Sequence, residues 1–145
     1  MKKIPLIVLF LCFLSVPVYA QSTLALQEKC AEVTKKSLGE GGITREKNGD
    51  MRFFGYTSHY NKKMDKCFVL ISHTFFTHTT NGQDQTQFSQ ELWNAIEQKE
   101  IGSYISNMVK EESSWKHYEN GCKVGDTICY SKAEFEALIK PYMEE

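Results

Sequence analysis

The sequence predicts an α+β fold in which an antiparallel sheet of about four strands packs with an N-terminal and a C-terminal helix. Three observations lead to this prediction. Apolar residues at helical spacing occur near the two ends of the chain, β-forming aromatic runs fill its middle, and an even number of cysteines follows an export signal. The 145 residues are 41% hydrophobic and 12% aromatic, which is typical of a folded domain rather than of a disordered chain.

Residues 1–20 have the pattern of a secretory signal peptide. Lys2 and Lys3 are followed by an apolar stretch over residues 4–16 and by Val18-Tyr19-Ala20, which suits a cleavage site. A membrane anchor is the disfavoured alternative, because the apolar stretch is shorter than the roughly 18 residues that span a bilayer. We therefore expect residues 21–145 to form a single periplasmic or secreted domain with no stable membrane insertion.

The charge balance excludes the basic class of nucleic-acid-binding proteins. Without Lys2 and Lys3, 15 of the 17 Lys and Arg remain against 18 Asp and Glu, so the mature chain is acidic. Locally the balance is reversed, because positive charge predominates over residues 21–66. A basic patch for an anionic partner is one interpretation, and solubilising surface lysines are the other. The residues concerned are Arg45, Lys47, Arg52, Lys62, Lys63 and Lys66.

Four cysteines outside the signal predict two disulfides, because exported proteins meet an oxidising environment. Gly125-Asp126 suits a two-residue hairpin turn, which places Cys122 directly opposite Cys129. The remaining pair is then Cys30 with Cys67. None of the spacings is that of a zinc site, so neither a metal nor another cofactor is predicted.

The first predicted helix covers residues 21–38. Leu26, Cys30, Val33 and Ser37 recur at helical spacing, and Gly39 is suited to end the helix. The glycines that follow are predicted to be connectors, since their spacing is not that of a phosphate-binding loop.

Two strands follow, over residues 51–60 and 66–76. Both are rich in aromatic and β-branched residues, and a polar turn over residues 61–65 separates them. The second strand is apolar on both faces near its start, which predicts a central position with the Cys67 face toward the first helix. Residues 77–87 have no apolar period and are predicted to form a polar loop or an exposed hairpin tip.

Residues 88–109 fit two descriptions. Phe88, Leu92 and Ile96 are compatible with a helix, but the same run also fits two strands joined by a turn, which we favour. Residues 110–121 are polar and are predicted to lead into the cysteine hairpin.

The last predicted element is an amphipathic helix. Ser131 and Glu134 form a capping box, and apolar residues continue from Phe135 at helical spacing to Tyr142. Pro141 is expected to kink or end this helix.

Two segments resemble small exported bacterial proteins of unknown function. The more specific one is Ser58-His59-Tyr60-Asn61-Lys62-Lys63-Met64-Asp65-Lys66-Cys67-Phe68-Val69, and the carboxyl end from Cys129 to Glu144 is similar in a looser way. The resemblance implies export and a disulfide-linked α+β domain. It implies no reaction and no catalytic residue.

Histidine chemistry is the basis of the alternative function, a small secreted hydrolase. His59 and His73 would serve as acid and base, with Lys62 stabilising an anion. His73 and His78 are five residues apart, so a continuous strand would direct them to opposite faces and away from a shared metal ion. No serine-nucleophile motif is present, and every mature cysteine has a predicted disulfide partner.

The favoured function is a non-enzymatic one, that of a binding or inhibitor-like module with a protein or envelope partner. The hypothesised contact segment is His59, Tyr60, Asn61, Lys62 and Lys63, for which a solvated hairpin tip without a partner is the favoured alternative interpretation. An aromatic ring beside two lysines and an amide combines contact area, charge and hydrogen bonding within one turn.

Overall fold

A computed structural model describes residues 18–78 and 83–144 of the chain. Residues 1–17 of the predicted signal peptide lie outside the described residues. Positions 18–20 belong to the first helix.

The described chain forms one antiparallel sheet of seven strands and two helices. The strands lie in the sheet in the order of the sequence, and each is antiparallel to its neighbours. The elements are α1 (Val18–Leu38), β1 (Gly42–Arg45), β2 (Met51–Asn61), β3 (Lys66–His78), β4 (Asp84–Asn94), β5 (Lys99–Glu111), β6 (Ser114–Val124), β7 (Thr127–Ile128) and α2 (Lys132–Met143).

The prediction of an α+β packing on about four strands is therefore wrong. β2 and β3 lie where they were predicted, and residues 88–109 form strands rather than a helix. β7 and the end of β6 form the predicted cysteine hairpin, whereas β1 and the rest of β6 were missed. Almost all of their residues are exposed, so their sequences lack the apolar alternation that reveals a half-buried strand.

The two helices lie on opposite faces of the sheet. α1 is bonded through Cys30 to Cys67, whereas α2 packs over Phe68, the next residue of β3. Successive residues of a strand point to opposite faces, which separates the helices. The main apolar core lies under α2 and consists of Phe68, Leu92, Tyr104, Val124, Cys129, Phe135 and Ile139.

A side chain of α1 replaces a strand along part of the outer edge of β2. The Gln27 amide donates to the Ser58 carbonyl (3.0 Å) and accepts from the Tyr60 N–H (2.7 Å). These two backbone groups would otherwise lack a strand neighbour, because β1 pairs only with the first four residues of β2. α1 is thus held both to the face and to the edge of the sheet.

Both predicted disulfides are confirmed. Cys30–Cys67 and Cys122–Cys129 have Cα–Cα distances of 5.5 and 4.9 Å, within the usual range. The short one lies across the predicted hairpin, whose two-residue turn has a positive φ at Gly125 (57°), as a type II′ turn requires.

The predicted capping box at α2 is confirmed with one variation. The Ser131 hydroxyl accepts from the Glu134 N–H (3.2 Å), while the Glu134 carboxylate accepts from the N–H of Tyr130 (2.8 Å) instead of that of Ser131. Pro141 lies in the last turn, and the helix ends two residues later.

Ser131→Ala is expected to lower the free energy of unfolding by about 1 kcal/mol, because the Glu134 N–H loses its acceptor. Denaturant unfolding followed by circular dichroism measures the change. Ser131→Asp is the control, since aspartate supplies an equivalent acceptor and is expected to keep the stability. An alanine variant as stable as the aspartate variant would contradict the capping role.

Candidate functional site at the turn end of the sheet

Two turns of similar construction lie at one end of the sheet. Turn 62–65 follows Asn61, and turn 95–98 follows Asn94. In each turn the side-chain oxygen of the asparagine accepts from backbone N–H groups within the turn, at 3.0 to 3.1 Å. The fourth residue of each turn has φ of 52°, a left-handed conformation.

The two turns are neighbours because β3 and β4 are adjacent in the sheet. The N–H of Ala95 donates to the carbonyl of Cys67 (2.9 Å), and the Lys66 ammonium pairs with the Glu97 carboxylate at the same distance. This ion pair, together with its hydrogen bond, lowers the pKa of Glu97. We refer to turns 62–65 and 95–98 together as the turn end.

Apolar side chains are exposed at the tips of both turns. Met64 is 39% exposed and Ile96 is 68% exposed. Single exposed apolar residues are common on protein surfaces, but turn 95–98, which carries Ile96, also adjoins an apolar groove, and that combination is typical of a contact surface.

That groove, here called the α1 groove, lies between α1 and the adjoining face of β3 and β4. Its volume is about 330 Å³. Leu38 lies on the α1 side, Val69 and Ile71 form the floor on β3, and Trp93 and Ala95 lie on the β4 side. Ala95 also belongs to turn 95–98, so the groove is continuous with that turn. Lys63 and Met64 of turn 62–65 instead line a hollow beside Ala137 and Lys140 of α2.

A few polar groups border the α1 groove. The Glu91 carboxylate accepts a hydrogen bond from the Trp93 indole N–H (3.0 Å), which fixes the orientation of both side chains. Ser37 and Gln98 line the groove from α1 and from turn 95–98. An apolar lining with a small number of placed polar groups is the usual composition of a ligand-binding pocket.

The structure distributes the predicted contact segment over different environments. Asn61 is completely buried, and its amide nitrogen donates to the carbonyls of Pro141 (2.9 Å), Tyr142 and Glu144 (both 3.3 Å). This side chain therefore joins β2 to the end of α2 and is not available to a partner.

His59 and Tyr60 point to opposite faces of β2. His59 is opposite Phe68 on the α2 face and is half-buried, while Tyr60 is opposite Cys67 on the α1 face. The Tyr60 hydroxyl donates to the Asp65 carboxylate, and this bond raises the pKa of Tyr60.

Lys62 and Lys63 are exposed in turn 62–65. They are accessible members of the predicted contact segment, beside exposed Met64.

The basic residues singled out in the sequence form two separate groups. Arg45, Lys47 and Arg52 lie where β1 meets the start of β2, whereas Lys62, Lys63 and Lys66 lie at the other end of β2. About ten residues of extended chain separate the groups, which corresponds to roughly 33 Å. These six residues therefore do not form one basic patch, which was the first of the two interpretations of their charge.

The histidines are likewise dispersed. His59 lies on the α2 face, while His73 lies on the α1 face, between the rings of Phe54 and Phe75. This placement separates the acid and base of the proposed hydrolase by the sheet itself. His78 is exposed and contacts the Asp84 carboxylate (2.6 Å).

Two further findings concern residues 18–78 and 83–144. No three His, Cys, Asp or Glu side chains in these ranges are grouped so that they could hold a metal ion. Neither of the helices described there is long and apolar enough to cross a membrane.

No protein-family profile, curated protein or solved structure matches this chain.

The α1 groove was not predicted from the sequence. It depends on the placement of Leu38 near Trp93, which are 55 positions apart in the chain. One local feature of the sequence could have indicated the two turns of the turn end. Asn61 and Asn94 both stand five positions before a lysine, Lys66 and Lys99. This shared spacing marks the two turns whose tips expose apolar side chains.

Proposed function

We propose that the protein is an exported binding module that holds a partner protein at the turn end, with an apolar side chain of the partner in the α1 groove. The main support is the continuity of an apolar groove of about 330 Å³ with turn 95–98, whose exposed Ile96 lies on the turn next to the one that exposes Met64. Burial of apolar surface is the largest favourable contribution to most protein association.

The polar groups at the α1 groove define the chemistry of the inserted group. The Glu91 carboxylate favours a hydrogen-bond donor or a positive charge near the apolar side chain. Its orientation is already fixed by Trp93, so binding would require little reordering.

Lys62 and Lys63 extend the proposed surface beyond the groove. These two ammonium groups are exposed beside Met64 and are suited to attract carboxylates at the rim of the interface. Tyr60 contributes indirectly, because its bond to Asp65 holds the turn in shape. The proposed contact residues are therefore Lys62 and Lys63, with Tyr60 and Asn61 supporting them.

The proposed location is the periplasm or the exterior of the cell. Two disulfides in the described chain are compatible with an oxidising compartment. The signal-like sequence of residues 1–20 is the second support for this location.

Leu38→Lys is expected to weaken binding at the α1 groove at least about tenfold, because a charge replaces an apolar side chain of its lining. The matched control is Leu24→Lys on the same helix, at a position 62% exposed and outside the groove lining. A Trp115→Phe background leaves Trp93 as the reporter of the groove. Fluorescence of Trp93 then measures titration with a neutral apolar naphthylamine dye, and the same variants are compared in capture of a partner from an envelope extract.

Dye binding and partner capture together test the contributions of the groove and of the turns separately. The proposal is supported if Leu38→Lys loses both dye binding and partner capture while Leu24→Lys retains both. A partner bound equally by the two variants would refute a role for the groove. Lys62→Ala/Lys63→Ala is expected to weaken partner capture without changing dye binding, and unchanged capture at low salt would exclude the turn.

A further inference from the structure

The two edges of the sheet differ in how much of their backbone is covered by other elements. On the β1 side, β1 and Gln27 occupy most of the outer edge of β2. On the other side, β7 pairs with β6 only at Lys123 and Val124. The segment of β6 from Ser114 to Gly121 has β5 on one side and no strand on its outer side among the described residues, and all eight of its residues are exposed.

The register shows which backbone groups of β6 point away from β5. Glu111 and Ser114 flank a two-residue turn and form the first hydrogen-bonded pair of the β5–β6 hairpin. Hydrogen-bonded and non-hydrogen-bonded pairs alternate in an antiparallel ladder. The N–H and C=O groups of Trp115, His117 and Glu119 are therefore directed outward.

This open edge also carries exposed aromatic rings. Trp115 is 47% exposed and Tyr118 is 43% exposed, and they lie on opposite faces of the strand. The Tyr118 hydroxyl donates to the Glu111 carboxylate (2.9 Å), which orients the ring along the hairpin. An open edge with aromatic side chains on both faces is the kind of surface that accepts an additional strand.

We propose that β6 pairs antiparallel with β6 of a second copy of this chain, about a twofold axis at Tyr118. In that register His117 of each copy lies opposite Glu119 of the other, and the two residues are also near each other within one chain (3.8 Å). Lys116 lies opposite Asn120, so no like charges are opposed. This agreement of charge is the reason to assign the edge to a second copy rather than to an unrelated strand.

The geometry limits the extent of the pairing. A register shift at Ile105/Ser106 shows that β6 has a bulge near Asn120, and beyond it Cys122 already accepts from Cys129 (3.1 Å). The pairs between His117 and Glu119 are outward-directed on both strands. They supply four backbone hydrogen bonds, with the Tyr118 rings adjacent at the axis.

The test is the mass of the oxidised chain in sedimentation equilibrium over a range of concentrations. The mass is expected to rise toward twice that of one chain. His117→Pro removes an outward-directed N–H that pairs with no other strand among the described residues, so it is expected to abolish the dimer. His117→Thr keeps the N–H on a strand-forming residue and is expected to retain the dimer. Glu119→Lys is expected to weaken it.

Hydrogen exchange tests the same pairing without any substitution. The amides of His117 and Glu119 are expected to become protected as the concentration of unmodified chain increases. A single-chain mass up to the solubility limit would overturn the proposal. So would exchange at these amides that is independent of concentration, or a folded His117→Pro variant that dimerises like the unmodified chain.

Discussion

Replacing both Cys30 and Cys67 by alanine is expected to lower the free energy of unfolding by about 4 kcal/mol. This disulfide joins residues separated by 37 positions, and cross-linking a long loop restricts the unfolded chain more than cross-linking a short one. It also joins α1 to β3. Within residues 23–38, Cys30 and Thr34 are the buried residues of α1, so little other burial holds this helix on the sheet.

The matched control is the alanine double variant of Cys122 and Cys129, which lie seven positions apart. Its expected cost is about 2.5 kcal/mol in the same chain-entropy treatment. Guanidinium unfolding of the unmodified chain and of the two double variants measures the order of their free energies of unfolding. A hairpin variant as destabilised as the α1 variant would contradict the ranking.

Hydrogen exchange separates the local effect of losing the Cys30–Cys67 disulfide from its effect on the free energy of unfolding of the whole domain. Loss of the Cys30–Cys67 bond is expected to speed exchange in α1 more than in β4 and β5, because α1 can then leave the sheet. The α1 groove would be lost with it, since Leu38 lines one side. Dye binding at the groove is therefore expected to fail in this variant and to persist in the hairpin variant.

The elements predicted from the sequence are those whose local pattern agrees with their burial. β3 was recognised because its start is apolar on both faces, and Ser131 because capping needs only the next three residues. The cysteine hairpin was equally local, since Gly125-Asp126 determines its register.

The missed features depend on contacts between distant parts of the chain. β6 is exposed on both faces along most of its length, so no alternation in its sequence distinguishes it from a loop. Asn61 looked like a polar turn residue, but its partners are carbonyls at the end of α2, 80 to 83 positions later. Local sequence contains no information about that juxtaposition.

Asn61→Asp is expected to cost about 3 kcal/mol or more of unfolding free energy at neutral pH. The Asn61 amide nitrogen donates to three carbonyls at the C-terminal end of α2. A carboxylate of the same shape has no N–H to donate and would place a buried negative charge against carbonyl oxygens and the negative end of the helix dipole.

Asn94→Asp is the control, with the same substitution at the equivalent position of turn 95–98. Asn94 is also buried, but it uses its side-chain oxygen, which accepts from the N–H groups of Ile96 and Glu97. A carboxylate can accept both bonds. The remaining cost is the loss of the hydrogen bond from the Asn94 amide to the exposed Glu97 carboxylate and its replacement by repulsion, so we expect a loss of about 1 kcal/mol.

The pH dependence identifies the cause of the loss in Asn61→Asp. Burial against carbonyl oxygens would raise the pKa of the introduced carboxyl in the folded state above its unfolded value of about 3.9. Below that value both states are protonated, and the carboxyl O–H can donate to a carbonyl of α2. As the pH rises, the unfolded state loses its proton first, so the deficit relative to the unmodified chain grows until the folded-state pKa is passed.

Denaturant unfolding of both variants and the unmodified chain between acidic and neutral pH measures this difference. The deficit of Asn61→Asp is expected to shrink on acidification, while that of Asn94→Asp stays small throughout. Equal and pH-independent losses in the two variants would show that Asn61 does not hold the end of α2.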